Sequence, residues 1–206
     1  MKPRPEALCA RRGSLERHRL LWLYLADRTN VFRENLKLLD IGAMNCLQRT
    51  FLAMPNLEYI SVDLESPIAA LKINITDMKF SSNVFDCVIR WHVLEHIPDD
   101  RRAMREILRV LKPGGWAILQ VPIMEDKTYE DPNVTSPEGR DRICGQRDHV
   151  RSYGLDYEDR LQQAGFKVKV DDYVKQLGDR TIRKYGLRAS EDIYICLKPD
   201  REEVSR

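Results

Sequence analysis

Short apolar runs alternate with longer amphipathic stretches along the chain, and their order predicts strands separated by helices. The clearest unit covers residues 84–121. VFDCVI is a short, β-rich apolar run, as expected of a strand buried on both faces. Pro98 and the pair Asp99–Asp100 mark a helix start, because short acceptor side chains satisfy the first free backbone N–H groups. Met104, Ile107, Leu108 and Leu111 then fall at helical spacing on one stripe. Lys112-Pro113-Gly114-Gly115 stops that helix, and WAILQV reads as the next buried strand. The expected product is a right-handed βαβ crossover in one parallel sheet. Ligands of such sheets bind beyond the carboxyl ends of the strands. That rule points to Arg90-Trp91-His92 and to Pro122-Ile123-Met124.

The same pattern extends to both sides. Ser14 is placed to cap a helix over 15–27, with Leu15, Leu21, Trp22 and Leu25 as its core face. Residues 37–42 read as a strand ending in Asp40 and Gly42, and 59–63 as a strand ending in Asp63. NCLQRTFLAM between them is helical until Pro55, and 71–75 is a third strand followed by Thr76-Asp77-Met78. Residues 123–152 are polar, rich in turn formers and without a period, so a long loop is expected there. A helix over 155–164 and strands at 166–170 and 193–197 complete the series. The division expected is an N-terminal extension with one helix over 1–34, a possible lid, then a ligand-binding domain over 35–198 and a frayed tail over 199–206.

Composition narrows the classes. A chain of 206 residues fits one domain with a substantial core. A net charge of +2 from 34 basic and 32 acidic residues provides no field that would demand nucleic acid. No apolar run reaches the roughly 20 residues of a membrane span. No apolar signal region precedes Leu20, and five scattered cysteines without a C-x-x-C pair suit reduced thiols, so a cytoplasmic protein is expected.

The candidate chemistry rests on three carboxylates at or just after strand ends, Asp40, Asp63 and Asp77. About 20 residues separate Asp40 from Asp63, the interval of nucleotide-binding βαβ units, where Asp63 can accept bonds from both ribose hydroxyls. A nucleoside bearing methionine offers an amine, two hydroxyls and an ammonium group, all of which suit acceptors. A pyrophosphate would be repelled, and no P-loop lysine is present.

LLDIG, YISVDL, ITDM, FDCVIRWHVLEHIPD and RVLKPGG together resemble the class I S-adenosylmethionine-dependent methyltransferases of the type 11-like domain. GQRDHVRSYGLDYEDRLQQAGF and GSLERHRL resemble segments of one subset, so the likeness covers about residues 11–198. It implies a Rossmann-like three-layer α/β/α fold with a mostly parallel seven-stranded sheet whose last strand is antiparallel. It also implies S-adenosylmethionine as cofactor. Asp40, Gly42 and Ala43 then fall beside the methionine portion, Asp63 at the ribose with Leu64 beside the adenine, and Asp77 and Met78 at the adenine edge. Arg90, Trp91 and His92 line the pocket near the methyl group. The sequence departs from the family where Gly42-Ala43-Met44-Asn45-Cys46 keeps only the first glycine. Asn45 is the residue best able to replace a glycine with left-handed backbone, while Met44 must point away from the cofactor.

Methyl transfer needs in-line positioning and a base for the acceptor proton. His92 and His149 are the two candidates, each with a structural alternative. Arg151 and Tyr153 either orient an anionic or hydroxylated acceptor or pair with the local acids Asp148 and Asp156. The expected acceptor is a small molecule methylated on oxygen or nitrogen. The alternative is a module of the same fold that binds S-adenosylmethionine or a nucleoside with weak or no turnover. His92-Val93-Leu94-Glu95-His96 also matches the H-x-x-E-H pattern of zinc hydrolases. Pro98 ends that segment too soon for the helix such chemistry needs, so no metal is expected.

Overall fold

A computed structural model describes residues 7–11 and 13–200. The start of the N-terminal extension, before residue 7, and all but the first two residues of the tail expected over 199–206 lie outside the described residues. In chain order the elements are α1 (Glu16–Arg28), β1 (Leu36–Ile41), α2 (Asn45–Leu52), β2 (Leu57–Asp63), β3 (Leu71–Lys72) and β4 (Phe85–Trp91). A single 3₁₀ turn (Leu94–His96) follows, then α3 (Asp100–Val110), β5 (Leu111–Gln120), β6 (Ile123–Glu125), β7 (Tyr129–Glu130) and α4 (Pro137–Cys144). The chain continues through β8 (Arg151–Gly154), α5 (Tyr157–Gln163), β9 (Lys167–Asp171), α6 (Tyr173–Gln176), α7 (Asp179–Tyr185) and β10 (Ile193–Leu197).

Seven strands form the main sheet in the order β3-β2-β1-β4-β5-β10-β9. β1 pairs parallel with β2 and β4, and β4 with β5, whereas β10 is antiparallel to both β5 and β9. Alternate residues of each strand enter separate cores. Leu39, Val88 and Leu119 pack with Met104 and Ile107 of α3 and Tyr157 and Leu161 of α5. Leu38, Ile89 and Ile118 pack with Leu20, Leu21 and Leu25 of α1, Phe51 of α2 and Tyr173 and Val174 of α6. Helices thus cover both faces, which is why the strands read as nearly continuous apolar runs. The α/β fold is the one the sequence predicts.

Local differences have local causes. α3 is capped as expected, the Asp99 carboxylate accepting from the Arg102 N–H at 2.9 Å. α1 begins one residue late because the cap is inverted: His18 Nδ1 accepts from the Leu15 N–H, and Ser14 makes no side-chain cap. The third strand shrinks to two residues at the sheet edge. Residues 123–152 are not a structureless loop. They contain α4, β6 and β7, and both strands flank β8 in a small sheet ordered β6-β8-β7. Its strands are two to four residues long, too short to show a period of two. Among the described residues no helix is long and apolar enough to cross a membrane.

Candidate active site

The chain leaves β1 through Gly42 at φ +74°, a left-handed conformation. A Cβ there would lie 2.5 Å from Val93 Cγ2, so both the backbone angle and the close approach require glycine. Asp63 ends β2 beside this corner. Its Oδ1 accepts from the N–H groups of Glu65 and Ser66, both at 2.8 Å, which fixes the carboxylate plane. Its Oδ2 lies 3.9 Å from where a Gly42 Cβ would be. The two expected cofactor residues therefore meet at one corner. Ala43 is half-buried next to it, and Leu64 presents an exposed apolar side chain after Asp63. Asn45 does not take over a glycine's conformation: it is the first residue of α2, and the only described non-glycine residues at positive φ are Asn83 and His92. Met44 turns into the core on the α1–α2 side.

Asp40 is 1% exposed and accepts from the Tyr59 hydroxyl at 2.7 Å. Burial pushes its carboxyl up to about 6, against the opposing effect of that hydrogen bond. Asp77 stands on the surface, bonded to Lys79 at 2.6 Å and held below the usual carboxylate range by it. Met78 is in the core, its N–H donating to the Glu106 carboxylate.

β4 runs two residues further than the sequence suggests and takes Arg90 and Trp91 inside the protein. Neither is among the residues that line the cleft at His92. Arg90 is fully buried on the α3–α5 side, and its guanidinium has no hydrogen-bond partner among the described residues. Burial lowers it to about 10, opposed by the charges of Glu95, Tyr157, Tyr153 and Asp100. Trp91 alternates to the other face and is 3% exposed in the core with α1. His92 is the residue that emerges. It adopts φ +57°, and its N–H donates to the Gln120 carbonyl at 2.9 Å, which extends the β4–β5 pairing.

His92 opens onto a cleft of about 150 Å³ at the carboxyl ends of β4 and β5. The 3₁₀ turn supplies Glu95 and His96, the insertion supplies His149 and Cys144, and Pro122 forms part of the wall. Glu16 and Arg17 from α1 and Arg188 and Glu191 before β10 complete it. His92 Nδ1 lies 3.4 Å from Glu95 Oε1, whereas its Nε2 has no partner among the described residues. The His96 and His149 rings meet edge to face at 4.7 Å. His149 is 3% exposed, and burial lowers its pKa, favouring the neutral imidazole. Burial likewise raises Glu191. The two histidines expected as bases thus share one cleft. Glu95 and His96 of the H-x-x-E-H stretch line it as well. Arg188 and Glu191 carry no sequence signal, since only the long return to β10 brings them here.

Arg151 and Tyr153 are not among the residues that line this cleft. Arg151 is 3% exposed and donates to the carbonyls of Leu94, Ile97 and Pro98 and to Glu130 at 2.9 Å. Tyr153 is fully buried, and its hydroxyl donates to Asp100 Oδ2 at 2.6 Å. Arg160 bridges the same Asp100 and Glu130. This buried network ties the insertion to the start of α3 and to the 3₁₀ turn, so both side chains hold the cleft wall. The partners are Asp100 and Glu130, not Asp148 and Asp156.

The methyltransferase-domain family profile matches residues 39–119, which is β1 through β5 with the Gly42–Asp63 corner and His92. Over those residues the chain is similar to methyltransferase domains. Among curated proteins similar to this chain, the sarcosine/dimethylglycine N-methyltransferase of Halorhodospira halochloris is 31% identical over 113 residues, 53% of this chain and 36% of that protein. The sterol 24-C-methyltransferase of Kluyveromyces lactis is 32% identical over 110 residues, 51% of this chain and 28% of that protein. The chain thus spans about a third of the length of the curated relatives it matches. The phosphoethanolamine N-methyltransferase 2 of Haemonchus contortus, solved with S-adenosyl-L-methionine, superposes with a TM-score of 0.60 at 16% identity, over 89% of this chain and 53% of that one. At that identity the likeness concerns the fold. The family's cofactor is S-adenosylmethionine, and the Gly42–Asp63 corner fits it: an acidic acceptor fixed by its own loop stands beside backbone that only glycine permits.

Proposed function

We propose that the protein transfers a methyl group from S-adenosylmethionine to an oxygen or nitrogen atom of a small-molecule acceptor held in the cleft at His92. The observation that carries this reading is the adjacency of the two halves of the site. Val93 packs over Gly42, and its neighbour His92, whose buried Nε2 has no partner among the described residues, lines the cleft. In this reading Asp63 accepts from the ribose hydroxyls, the Gly42–Ala43 backbone lies along the methionine portion, and Leu64 covers the adenine. Asp40 and Met78 support the same region from within, and Asp77 stands at its surface.

The cofactor supplies an activated sulfonium methyl group, so what the protein must add is alignment and a place for the acceptor proton. His92 Nε2 is the base this arrangement favours. Nδ1 of the same ring lies against Glu95, which orients the imidazole. His149 stands across the cleft as a neutral imidazole and acts as a wall or second acceptor of the proton. Residues 35–198 form the cofactor-binding unit, α1 covers the acceptor side with Glu16 and Arg17, and the insertion 123–152 closes it. The cleft's mixture of acids and bases suits a small polar acceptor more than a nucleic acid. Calorimetric titration with S-adenosylmethionine, then an acceptor screen reading S-adenosylhomocysteine release, tests this. No cofactor binding at about 1 mM would overturn it.

A further inference from the structure

The H-x-x-E-H pattern does not fold as a metal-binding helix. Residues 94–96 make a single 3₁₀ turn, and His92 is left-handed, so His92 and His96 are not successive residues on one helix face. The fold instead gathers a different set. Glu95, His96 and His149 each offer one donor atom, and the three donors lie within 4.8 Å of one another. Donors on a common ion at about 2.1 Å stand up to roughly 4 Å apart, so a small rotation of one ring closes the set. Two features outside this proximity point to a ligand. The Glu95 carboxylate is 1% exposed, lines the cleft, and its Oε2 has no hydrogen-bond partner among the described residues. A buried carboxylate oxygen left without a partner is costly unless a cation or donor meets it. Both imidazoles are also oriented from behind, as ligating histidines usually are. His96 Nδ1 faces the Asp148 carbonyl at 3.3 Å and the Asp148 carboxylate at 3.2 Å, and the His149 ring bonds to the Cys144 backbone.

We propose that Glu95, His96 and His149 bind one divalent first-row transition-metal ion, of the zinc or ferrous class, with an open coordination position facing the cleft. Two imidazoles and one carboxylate are a donor set for such ions, and three protein ligands leave a position for an exogenous oxygen. The consequence for turnover rests on the methyltransferase reading. An acceptor hydroxyl coordinated at the open position loses its proton to His92 Nε2, and the ion stays divalent. The O–C bond then forms as the S–C bond breaks, giving methyl ether, S-adenosylhomocysteine and one released proton.

The test uses tag-free full-length chain freed of metal by chelation. Co²⁺ is titrated with visible absorption as the readout, followed by competition with Zn²⁺. The expected result is one equivalent of Co²⁺ with d–d bands that Zn²⁺ abolishes. His96→Ala and His149→Ala should each lower affinity on the order of 100-fold. Glu95→Gln should do the same where circular dichroism shows that it folds, and half-exposed His96 carries the test otherwise. Absence of stoichiometric binding below about 100 μM Co²⁺, or binding indifferent to His96→Ala and His149→Ala, overturns the proposal. S-adenosylmethionine calorimetry on the unmodified chain separates the two readings. Metal binding without cofactor binding keeps the site and removes the methyltransferase reading, and the converse removes the site alone.

Discussion

Replacing Asp40 by Asn isolates a cost that the fold carries near its cofactor corner. The carboxyl is 1% exposed and pushed up to about 6 from the ordinary 3.8, with burial the main cause and the Tyr59 hydroxyl opposing it. A raised folded-state pKa means that the unfolded chain gives up this proton first as pH increases. Below the unfolded value the group costs nothing. Stability is then lost as pH rises through about 6, and above that the full penalty applies. The gap between 3.8 and about 6 corresponds to roughly 3 kcal/mol at 1.36 kcal/mol per pH unit. Asn keeps an acceptor for Tyr59 and removes the charge. Asp40→Asn should therefore be within about 1 kcal/mol of the parent near pH 3.5 and up to about 3 kcal/mol more stable near pH 8. Urea denaturation of both proteins across that range measures the difference. Saturating S-adenosylmethionine should shrink it, because positive charge near the strand end favours the ionised carboxylate. A difference that stays constant with pH would refute the reasoning and show that Asp40 is not the ionising group.

Asp63→Ala should weaken S-adenosylmethionine binding by about 1–3 kcal/mol through lost charge-assisted bonds, read by calorimetry; unchanged affinity would remove the ribose assignment. Gly42→Ala meets both a left-handed φ and a 2.5 Å contact with Val93, so it should cost about 1–3 kcal/mol of stability by denaturant melt. Adding Val93→Ala should recover only the contact part, and full recovery would show that the backbone angle is unimportant. Tyr153→Phe leaves the buried Asp100 oxygen with Arg160 but without its hydroxyl donor, at about 1–3 kcal/mol. Its acceptor KM should not move, and a selective rise in KM would return Tyr153 to the substrate.

The parts visible in the sequence are those whose physics is local. The βαβ unit at 84–121 announces itself because an apolar run, an Asp99 cap and a helical stripe are each properties of neighbouring residues. Asp63 and Gly42 are legible for the same reason, since strand end and turn fix them. The acceptor side is tertiary. Arg151 and Tyr153 sit in a promising segment, yet their partners Asp100, Glu130 and the Leu94 carbonyl come from 21 to 57 residues away. Arg90 carried a similar ambiguity: a charged residue at a strand end suggests a pocket, but one more residue of β4 places it inside. Strand alternation alone could have warned of this, because Val88 and Arg90 share a face.

His92 shows how the two halves are joined. A β4 side chain that continued the strand's alternation past Trp91 would be sent back towards the α3–α5 side with Arg90. The left-handed φ of +57° breaks that alternation and turns the chain into the 3₁₀ turn, at a cost of order 1–2 kcal/mol for a residue with a Cβ. The cost is met by contacts on both sides of the bend. The His92 N–H keeps its bond to Gln120, the ring is held against Glu95, and Val93 is driven onto Gly42. Val150, next to His149, donates its N–H to the Glu95 carbonyl at 2.8 Å, so the insertion is anchored to the same bend. One strained residue therefore sets the distance between the Gly42–Asp63 corner and the cleft. A glycine at position 92 would relieve the strain, but it would remove the imidazole that the bend delivers to the cleft beside Glu95 and His96.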